Sequence, residues 1–220
     1  MKANAKKVRE IRVKKLLTMG GLIGVSGVVV AAIAAWAYMS ADHDPKNFGV
    51  VVPGRIYRSA QPGYHELEKV QRETGIKAII NLRGKHVFKD DWRCREESQC
   101  AEDKGIKLIV IEFGNSPSDE RIKELLAALD DEKNYPLLIH CAQGIERTGI
   151  AVAVYRMERM GWTSGQAVRE MLTNKFSSKL KVVGDHVETI FVAEYKAKHP
   201  APAKKPLALH WPQGANASGP

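Results

Sequence analysis

Cysteine is scarce in this chain, with three residues at positions 94, 100 and 141 among 220. Three thiols are too few for the disulfide framework of a small secreted domain. Cys94 and Cys100 could bridge in an oxidising compartment, but a helix across Asp91–Lys104 would hold their Cα atoms about 9 Å apart, beyond bridging range. Neither has a His or Cys partner at metal-ligand spacing, so no metal site is expected there. With 44% apolar residues, the chain can instead build the core of one sizeable domain.

Acidic side chains are almost missing from the first 41 residues. Residues 1–15 contain seven Lys or Arg against the single Glu10, so this segment holds +6 of the net charge of +9. Only +3 remains for the rest of the chain, which argues against a nucleic-acid partner.

Charged side chains are absent from Leu16 to Ala41. Residues 16–39 are rich in apolar residues, and about 20 of these span a bilayer. The basic segment 1–15 should stay in the cytoplasm, which places everything after residue 41 outside it, facing the periplasm of a bacterial inner membrane. A cleaved signal peptide is the alternative, because Ala35-Trp36-Ala37 resembles a cleavage site. The run exceeds the usual apolar signal region of about 7–15 residues, so a retained anchor over residues 16–41 is favoured.

Strand-like and helix-like patterns alternate after a predicted linker, residues 42–53. The predicted strands are Arg55–Arg58, Ile76–Leu82, Ile106–Phe113 and Pro136–His140. The predicted helices include Pro62–Thr74, Thr148–Met160, Thr163–Asn174 and Val182–Lys198. This order predicts an α/β domain over residues 54–198, with a mainly parallel sheet flanked by helices and a ligand site beyond the carboxyl ends of the strands. Residues 199–220 lack apolar periodicity and are predicted to be disordered.

Two helices have specific predicted faces. One should begin with Ser116 and Pro117 at the cap and first turn, and its apolar face has helical spacing. That face consists of Ile122, Leu125, Leu126 and Leu129. The last helix should bury a second face, formed by Val183, Val187, Ile190 and Phe191.

The segment 140–149 has the chemistry of an anion-binding loop. It joins a predicted strand to a predicted buried helix, so successive N–H groups can converge on one concavity, and Gly144 allows the backbone angles that this needs. A thiol at Cys141 should have a lowered pKa there. Arg147 offers a planar fork to two phosphate oxygens, and Thr148 can donate a hydrogen bond to the sulfur. The predicted phosphate-binding residues are Ala142, Gln143, Gly144, Ile145, Glu146 and Arg147.

This segment, His140–Gly149, resembles the signature loop of the protein tyrosine phosphatase superfamily: a Cys after a His, then five residues, Arg, and Ser or Thr. The resemblance extends over Val52–Lys198, where the sequence GRIYRSAQP at 54–62 is similar to that of bacterial exported and atypical dual-specificity phosphatases. It implies the cysteine-phosphatase fold and a thiophosphate intermediate on Cys141, without metal or organic cofactor. Arg58 and Arg83 could line the pocket mouth or be structural ion-pair partners.

The general acid does not follow from the pattern. The family usually has an Asp about thirty residues before the nucleophile, and here the ungapped position is Gly114. Asp119 is the nearest Asp, although it could complete a capping box with Ser116. Glu146, directly before the signature Arg, and Glu112 at the end of a strand are the other candidates.

Several substrates and activities stay open. Relatives that act on polyanions tend to have lysines in the signature loop, whereas this loop has Gln143, Ile145 and Glu146. A phosphorylated protein is therefore the expected substrate, and a membrane lipid phosphate, near an anchor in residues 16–39, is the alternative. A phosphate-binding module without turnover and a rhodanese-like sulfurtransferase are rival classes.

Overall fold

A computed structural model describes residues 28–31, 33, 43–173 and 187–199. The chain divides into two compact units, residues 1–42 and 43–220. Most of the predicted anchor, 16–41, and all of the predicted tail beyond His199 lie outside the described residues. Residues 28–31 and 33 are helical. Within the described parts, none of the helices has both the length and the apolar character needed to cross a bilayer.

The second unit alternates strands and helices, as the sequence predicts. Its strands are β1 (Gly49–Val52), β2 (Ile56–Ser59), β3 (Ala78–Asn81), β4 (Lys107–Val110) and β5 (Leu137–His140). Its α-helices are α1 (Tyr64–Thr74), α2 (Trp92–Asp103), α3 (Asp119–Asp130), α4 (Glu146–Arg159), α5 (Ser164–Thr173) and α6 (Val187–Lys198). Two short 3₁₀ helices, Lys85–Phe88 and Glu132–Asn134, lie between them.

The five strands form one sheet in the order β1-β2-β5-β3-β4. The pairs β2–β5, β5–β3 and β3–β4 are parallel, and β1 pairs antiparallel with β2. The prediction of a mainly parallel α/β sheet is therefore confirmed. The predicted linker 42–53 is wrong in part, because its last residues form β1 at one edge of the sheet.

Both faces of the sheet are covered by apolar side chains. Ile79 and Leu138 pack with Leu67 of α1 and Cys100 of α2 on one face. On the other face, residues such as Ile80 and Ile139 pack with α3, α4, α5 and α6. Adjacent residues of β3 and β5 thus face opposite layers, as the two-residue period of a strand requires. Burial on both sides explains why these strands are continuous apolar runs rather than alternating ones.

The central helix α4 lies directly after the signature loop and is buried from Thr148 to Arg159. Parallel strands have their carboxyl ends at one edge, so the ends of β2, β3 and β5 meet beside the start of α4. The register pairs Ser59 and Asn81 with His140, the last residue of β5. The fold therefore places the signature loop at the centre of this edge.

Two local predictions about helices need correction. Helix α3 begins at Asp119 after the N-cap residue Ser118, so the predicted start at Ser116 and Pro117 lies too early, and no capping box forms with Asp119. Ile190 is 43% exposed, and α6 instead buries Val192 and Tyr195 against the core. Val183 and the side chain of Val187 lie outside the described residues. As the sequence favoured, Cys94 and Cys100 form no bridge: they are free, buried thiols about one and two-thirds turns apart on α2.

Candidate active site

The strand β5 ends directly before Cys141, the first residue of the turn that leads into α4. The thiol is buried, with 3% of the residue exposed. The backbone N–H of Gly144 donates a hydrogen bond to its sulfur over 3.2 Å. The sulfur is therefore held inside the concave side of the loop, where an N–H group already points at it.

The electrostatics of the loop favour a sulfur anion. Burial raises the pKa of the Cys141 thiol, but the nearby hydroxyl of Thr148, the backbone N–H groups of Thr148 and Gln143, and the charge of Arg147 lower it. The balance holds the pKa below that of an ordinary thiol. The hydroxyl of Thr148 is buried and makes no hydrogen bond to the described residues, so it is available to donate one to a sulfur anion at Cys141. A lowered thiol pKa is what a cysteine nucleophile needs near neutral pH.

Gly144 fits the loop for two reasons. Its φ angle is +69°, a left-handed conformation that side chains disfavour. A Cβ atom at this position would also overlap the backbone of Ser59 and Ala60 at the end of β2. The turn can therefore approach the sheet this closely only with glycine.

Arg58 lies beneath the loop rather than at its mouth. The residue is 5% exposed, and its Nη2 donates a hydrogen bond to the carbonyl oxygen of Gly144 over 2.8 Å. Burial lowers the pKa of this guanidinium below its ordinary value, although the negative charges of Glu170 and Cys141 act in the opposite direction. Neither predicted role fits Arg58. It is too buried to line the mouth of the pocket, and its hydrogen bond is to the backbone carbonyl of Gly144 rather than to a carboxylate.

Arg83 takes the structural role of the two that were predicted. Its Nη1 forms an ion pair with Asp91 over 2.6 Å and lies 3.3 Å from Oε1 of Gln61. Asp91 in turn caps α2 by accepting a hydrogen bond from the backbone N–H of Arg93. Arg83 thus connects the end of β3 to the start of α2.

Arg147 and Glu146 form the first turn of α4. Arg147 is half-buried, and its Nη1 donates a long hydrogen bond of 3.4 Å to the carbonyl oxygen of Leu82. This is its one hydrogen bond to the described residues, so most of its five N–H donors stay available to a ligand. Glu146, also half-buried, lies directly beside it. The loop therefore combines a buried thiol, a backbone N–H that points at its sulfur, and a guanidinium with donors left for a ligand.

The other two candidate acids lie on neighbouring elements. Asp119 is the first residue of α3, and its Oδ1 is 3.5 Å from Nε2 of His199, which follows α6. Glu112 follows β4, and its Oε1 is 3.4 Å from Nδ1 of His86. Both carboxylates are about 65% exposed. Of the three candidates, Glu146 alone belongs to the signature loop.

Two contacts of the loop have no counterpart in the sequence analysis. The side-chain amide of Asn47 donates to the carbonyl oxygen of Gln143 over 2.8 Å. The backbone N–H of Gln61 donates to the carbonyl oxygen of Ala142 over 3.2 Å. Asn47 has a positive φ angle of 57°, for which Asn is one of the few tolerant residues, and this was the only available signal.

A buried polar pair lies behind the loop. His140 and Glu97 are both fully buried, and Nε2 of His140 is in direct contact with Oε1 of Glu97. His140 belongs to the signature sequence, but Glu97 lies within a run of charged residues on α2 and gave no signal. Among the residues that the structure describes, no cluster of side chains has the composition of a metal site.

Comparisons with known proteins agree with this site. Residues 30–184 match the family model described as PTP-NADK, a DSP-PTPase phosphatase fused to NAD+ kinase. Probable tyrosine-protein phosphatase DG1060 of Dictyostelium discoideum is 30% identical over 168 residues, which cover 72% of this chain and 93% of that protein. Dual specificity protein phosphatase TpbA of Pseudomonas aeruginosa is 25% identical over 161 residues, which cover 73% and 68%.

The fold is also found among solved structures. The core catalytic domain of the PP-IP phosphatase SIW14 from Saccharomyces cerevisiae superimposes with a TM-score of 0.58 and 23% identity, over 73% of this chain and 93% of that chain. At this identity the likeness concerns the fold alone.

Together, the parallel sheet and the strand-to-helix loop around a reactive cysteine define a cysteine-dependent phosphatase of the protein tyrosine phosphatase superfamily. Within its atypical dual-specificity branch, the chain belongs to the family of DSP-PTPase phosphatases described as fused to NAD+ kinase.

Proposed function

We propose that the protein removes phosphate from phosphotyrosine, phosphoserine or phosphothreonine in protein substrates. The main support for this proposal is the Cys141 sulfur, which accepts a hydrogen bond from the N–H of Gly144 in a loop that lowers the pKa of the thiol. Similarity to probable tyrosine-protein phosphatase DG1060 and to dual specificity protein phosphatase TpbA supports this substrate class. The half-buried carboxylate of Glu146 beside the pocket, in a loop without lysine, favours a monoester over a polyanion.

The proposed reaction has two balanced steps. The Cys141 thiolate forms a bond to phosphorus while the bond from phosphorus to the leaving oxygen breaks, and an acid gives that oxygen its proton. Water then attacks the thiophosphate, the sulfur–phosphorus bond breaks, and the conjugate base of the acid takes the proton of the water. Arg147 and the loop amides hold the equatorial oxygens, and Thr148 stabilises the departing sulfur anion.

Asp119 and Glu146 are the proposed candidates for the acid, with Glu112 as the third. Asp119 precedes the nucleophile in the chain as in other family members, and Glu146 is supported by its place in the loop. A substrate whose leaving group needs no proton separates a proton donor from a merely structural carboxylate.

Hydrolysis of p-nitrophenyl phosphate by the full chain in detergent tests the proposal. Cys141→Ser should abolish turnover, because an alkoxide is not available at neutral pH. Cys100→Ala, which removes another buried thiol on α2, should retain it. Full turnover by the Cys141→Ser variant would refute the nucleophile.

A panel of phosphopeptides and phospholipid vesicles tests the substrate class. Hydrolysis of phosphopeptides with little release from lipids is the expected result. A membrane lipid phosphate is the alternative, supported by the apolar run of residues 16–39, and release from vesicles with indifference to every peptide would favour it.

For the location, we propose a single-pass protein with residues 16–39 in the bilayer and the catalytic domain outside the cytoplasm. The seven basic residues in segment 1–15 support this orientation. Protease added to intact spheroplasts should digest the domain, and protection until lysis would refute the orientation. The intact mass of the purified protein distinguishes a retained anchor from cleavage after Ala37.

A further inference from the structure

The buried pair behind the loop joins the helix α2 to the strand β5. Glu97 lies on α2 and His140 on β5, and each is 0% exposed. A carboxylate that is removed from water this completely is costly unless it is paired and hydrogen-bonded. Both conditions are met, since Oε1 contacts Nε2 of His140 and Oε2 accepts a hydrogen bond from Nδ2 of Asn81 over 2.6 Å.

The pair also reaches the catalytic loop. Nδ1 of His140 lies 3.3 Å from the carbonyl oxygen of Cys141. A doubly protonated imidazole can donate Nε2–H to Glu97 and Nδ1–H to this carbonyl at the same time. The Cys141 carbonyl belongs to the peptide group that carries the N–H of Ala142, so holding the oxygen also orients that N–H within the loop.

We propose that Glu97 is a positioning residue that keeps His140 as an imidazolium, which both orients the Cys141–Ala142 peptide and places a buried positive charge behind the Cys141 sulfur. The proposal rests on the function of Cys141 as the nucleophile. Glu97 itself acts through His140, because its contacts with the described residues are to His140 and Asn81 and not to the sulfur.

The charges around the pair agree with this arrangement. Burial lowers the pKa of His140, but the charge and hydrogen bond of Glu97 and the Cys141 carbonyl raise it above the ordinary value. Burial raises the pKa of Glu97, but His140, Gln61 and Asn81 together lower it. Both shifts favour the charged forms near neutral pH.

The remaining titratable neighbours do not compete for the proton. Cys94 and Cys100, on the same helix as Glu97, are buried thiols, and burial raises the pKa of each to about 11. Arg83, a cation that contacts Cys94 on the same helix, is paired with Asp91. His140 is therefore the cation on which Glu97 acts.

Alkylation of Cys141 by iodoacetate, followed against pH in the full chain by peptide mass mapping, tests the proposal. Glu97→Gln keeps the shape of the side chain and removes its charge, so His140 should become neutral and the pKa of Cys141 should rise by about one unit, with about tenfold slower alkylation below that pKa. Glu102→Gln, an exposed change of the same charge on α2, should leave the profile unchanged.

Equal profiles for Glu97→Gln and the wild type would overturn the proposal. If Glu97→Gln does not fold, the double variant Glu97→Gln with His140→Asn replaces the ion pair by two neutral amides. The upward shift should persist in that variant, and a wild-type profile there would overturn the proposal equally. Alkylation does not require turnover, so the result is independent of whether any phosphoester is hydrolysed.

Discussion

Gly144→Ala should damage the active site far more than the same substitution at another glycine that has a similar φ angle. At φ +69°, a side chain costs about 1–2 kcal/mol. Gly75→Ala is the matched control, because Gly75 has φ +67°, ends α1, and would have no atom within 4 Å of the added Cβ. Both variants should therefore lose about 1–2 kcal/mol of unfolding free energy through the backbone alone.

The steric part is specific to Gly144. Its Cβ would overlap the backbone of Ser59 and Ala60, and Ser59 belongs to β2, which is paired on both sides by β1 and β5. The strand cannot yield easily, so the loop must move, and the hydrogen bond from Gly144 N–H to the Cys141 sulfur is lost. A displacement of about 1 Å at a catalytic group can cost about 100-fold in rate.

Steady-state hydrolysis of p-nitrophenyl phosphate and urea unfolding of both variants measure the two effects separately. We expect kcat/KM to fall about 100-fold for Gly144→Ala and to stay near the wild-type value for Gly75→Ala. Similar activity of the two variants would refute the argument that the loop depends on close approach to β2.

Three further predictions concern single side chains. Arg58→Met should leave the buried Gly144 carbonyl without its donor, which costs about 1–3 kcal/mol in urea unfolding and lowers kcat; unchanged stability would contradict this role. Asp119→Asn should reduce turnover of alkyl phosphates far more than of p-nitrophenyl phosphate, and equal losses would remove it as the acid. Because the pKa of His140 is raised on folding, its stabilising effect is complete below the unfolded pKa of about 6.5 and is lost as pH rises through the folded pKa. Unfolding free energy should therefore fall above about pH 6.5, and His140→Asn should flatten this decline; an unaltered slope would contradict it.

The elements that sequence reasoning predicted well are those with a strong local signal. The strand before Cys141 is a continuous apolar run because both of its faces are buried, and the helix after it is apolar on nearly all sides for the same reason. The signature loop was predictable because it requires a fixed order of Cys, Gly, Arg and Thr. Each of these features lies within a few adjacent residues.

The parts that were missed depend on contacts between distant segments. The strand β1 is four residues long and follows a turn, so its pairing with β2 could not be inferred from its own sequence. Glu97 stands in the run Arg95-Glu96-Glu97, which reads as a solvated helix face, and only the packing of α2 on the sheet buries it. The sequence did not distinguish Arg58 from Arg83. Only their tertiary contacts show that Arg58 supports the loop and that Arg83 is an ion-pair partner.

The hydrogen bond from Asn47 to Gln143 shows that the residues just before β1 contact the signature loop. Lys46 also accepts a hydrogen bond from the backbone N–H of Ala60, over 2.7 Å. A protein shortened to start at Phe48 would keep every strand of the sheet and still lose the amide that steadies the rim of the loop. A shortened version of this domain should therefore keep Lys46 and Asn47, because their hydrogen bonds hold the end of β2 and the signature loop.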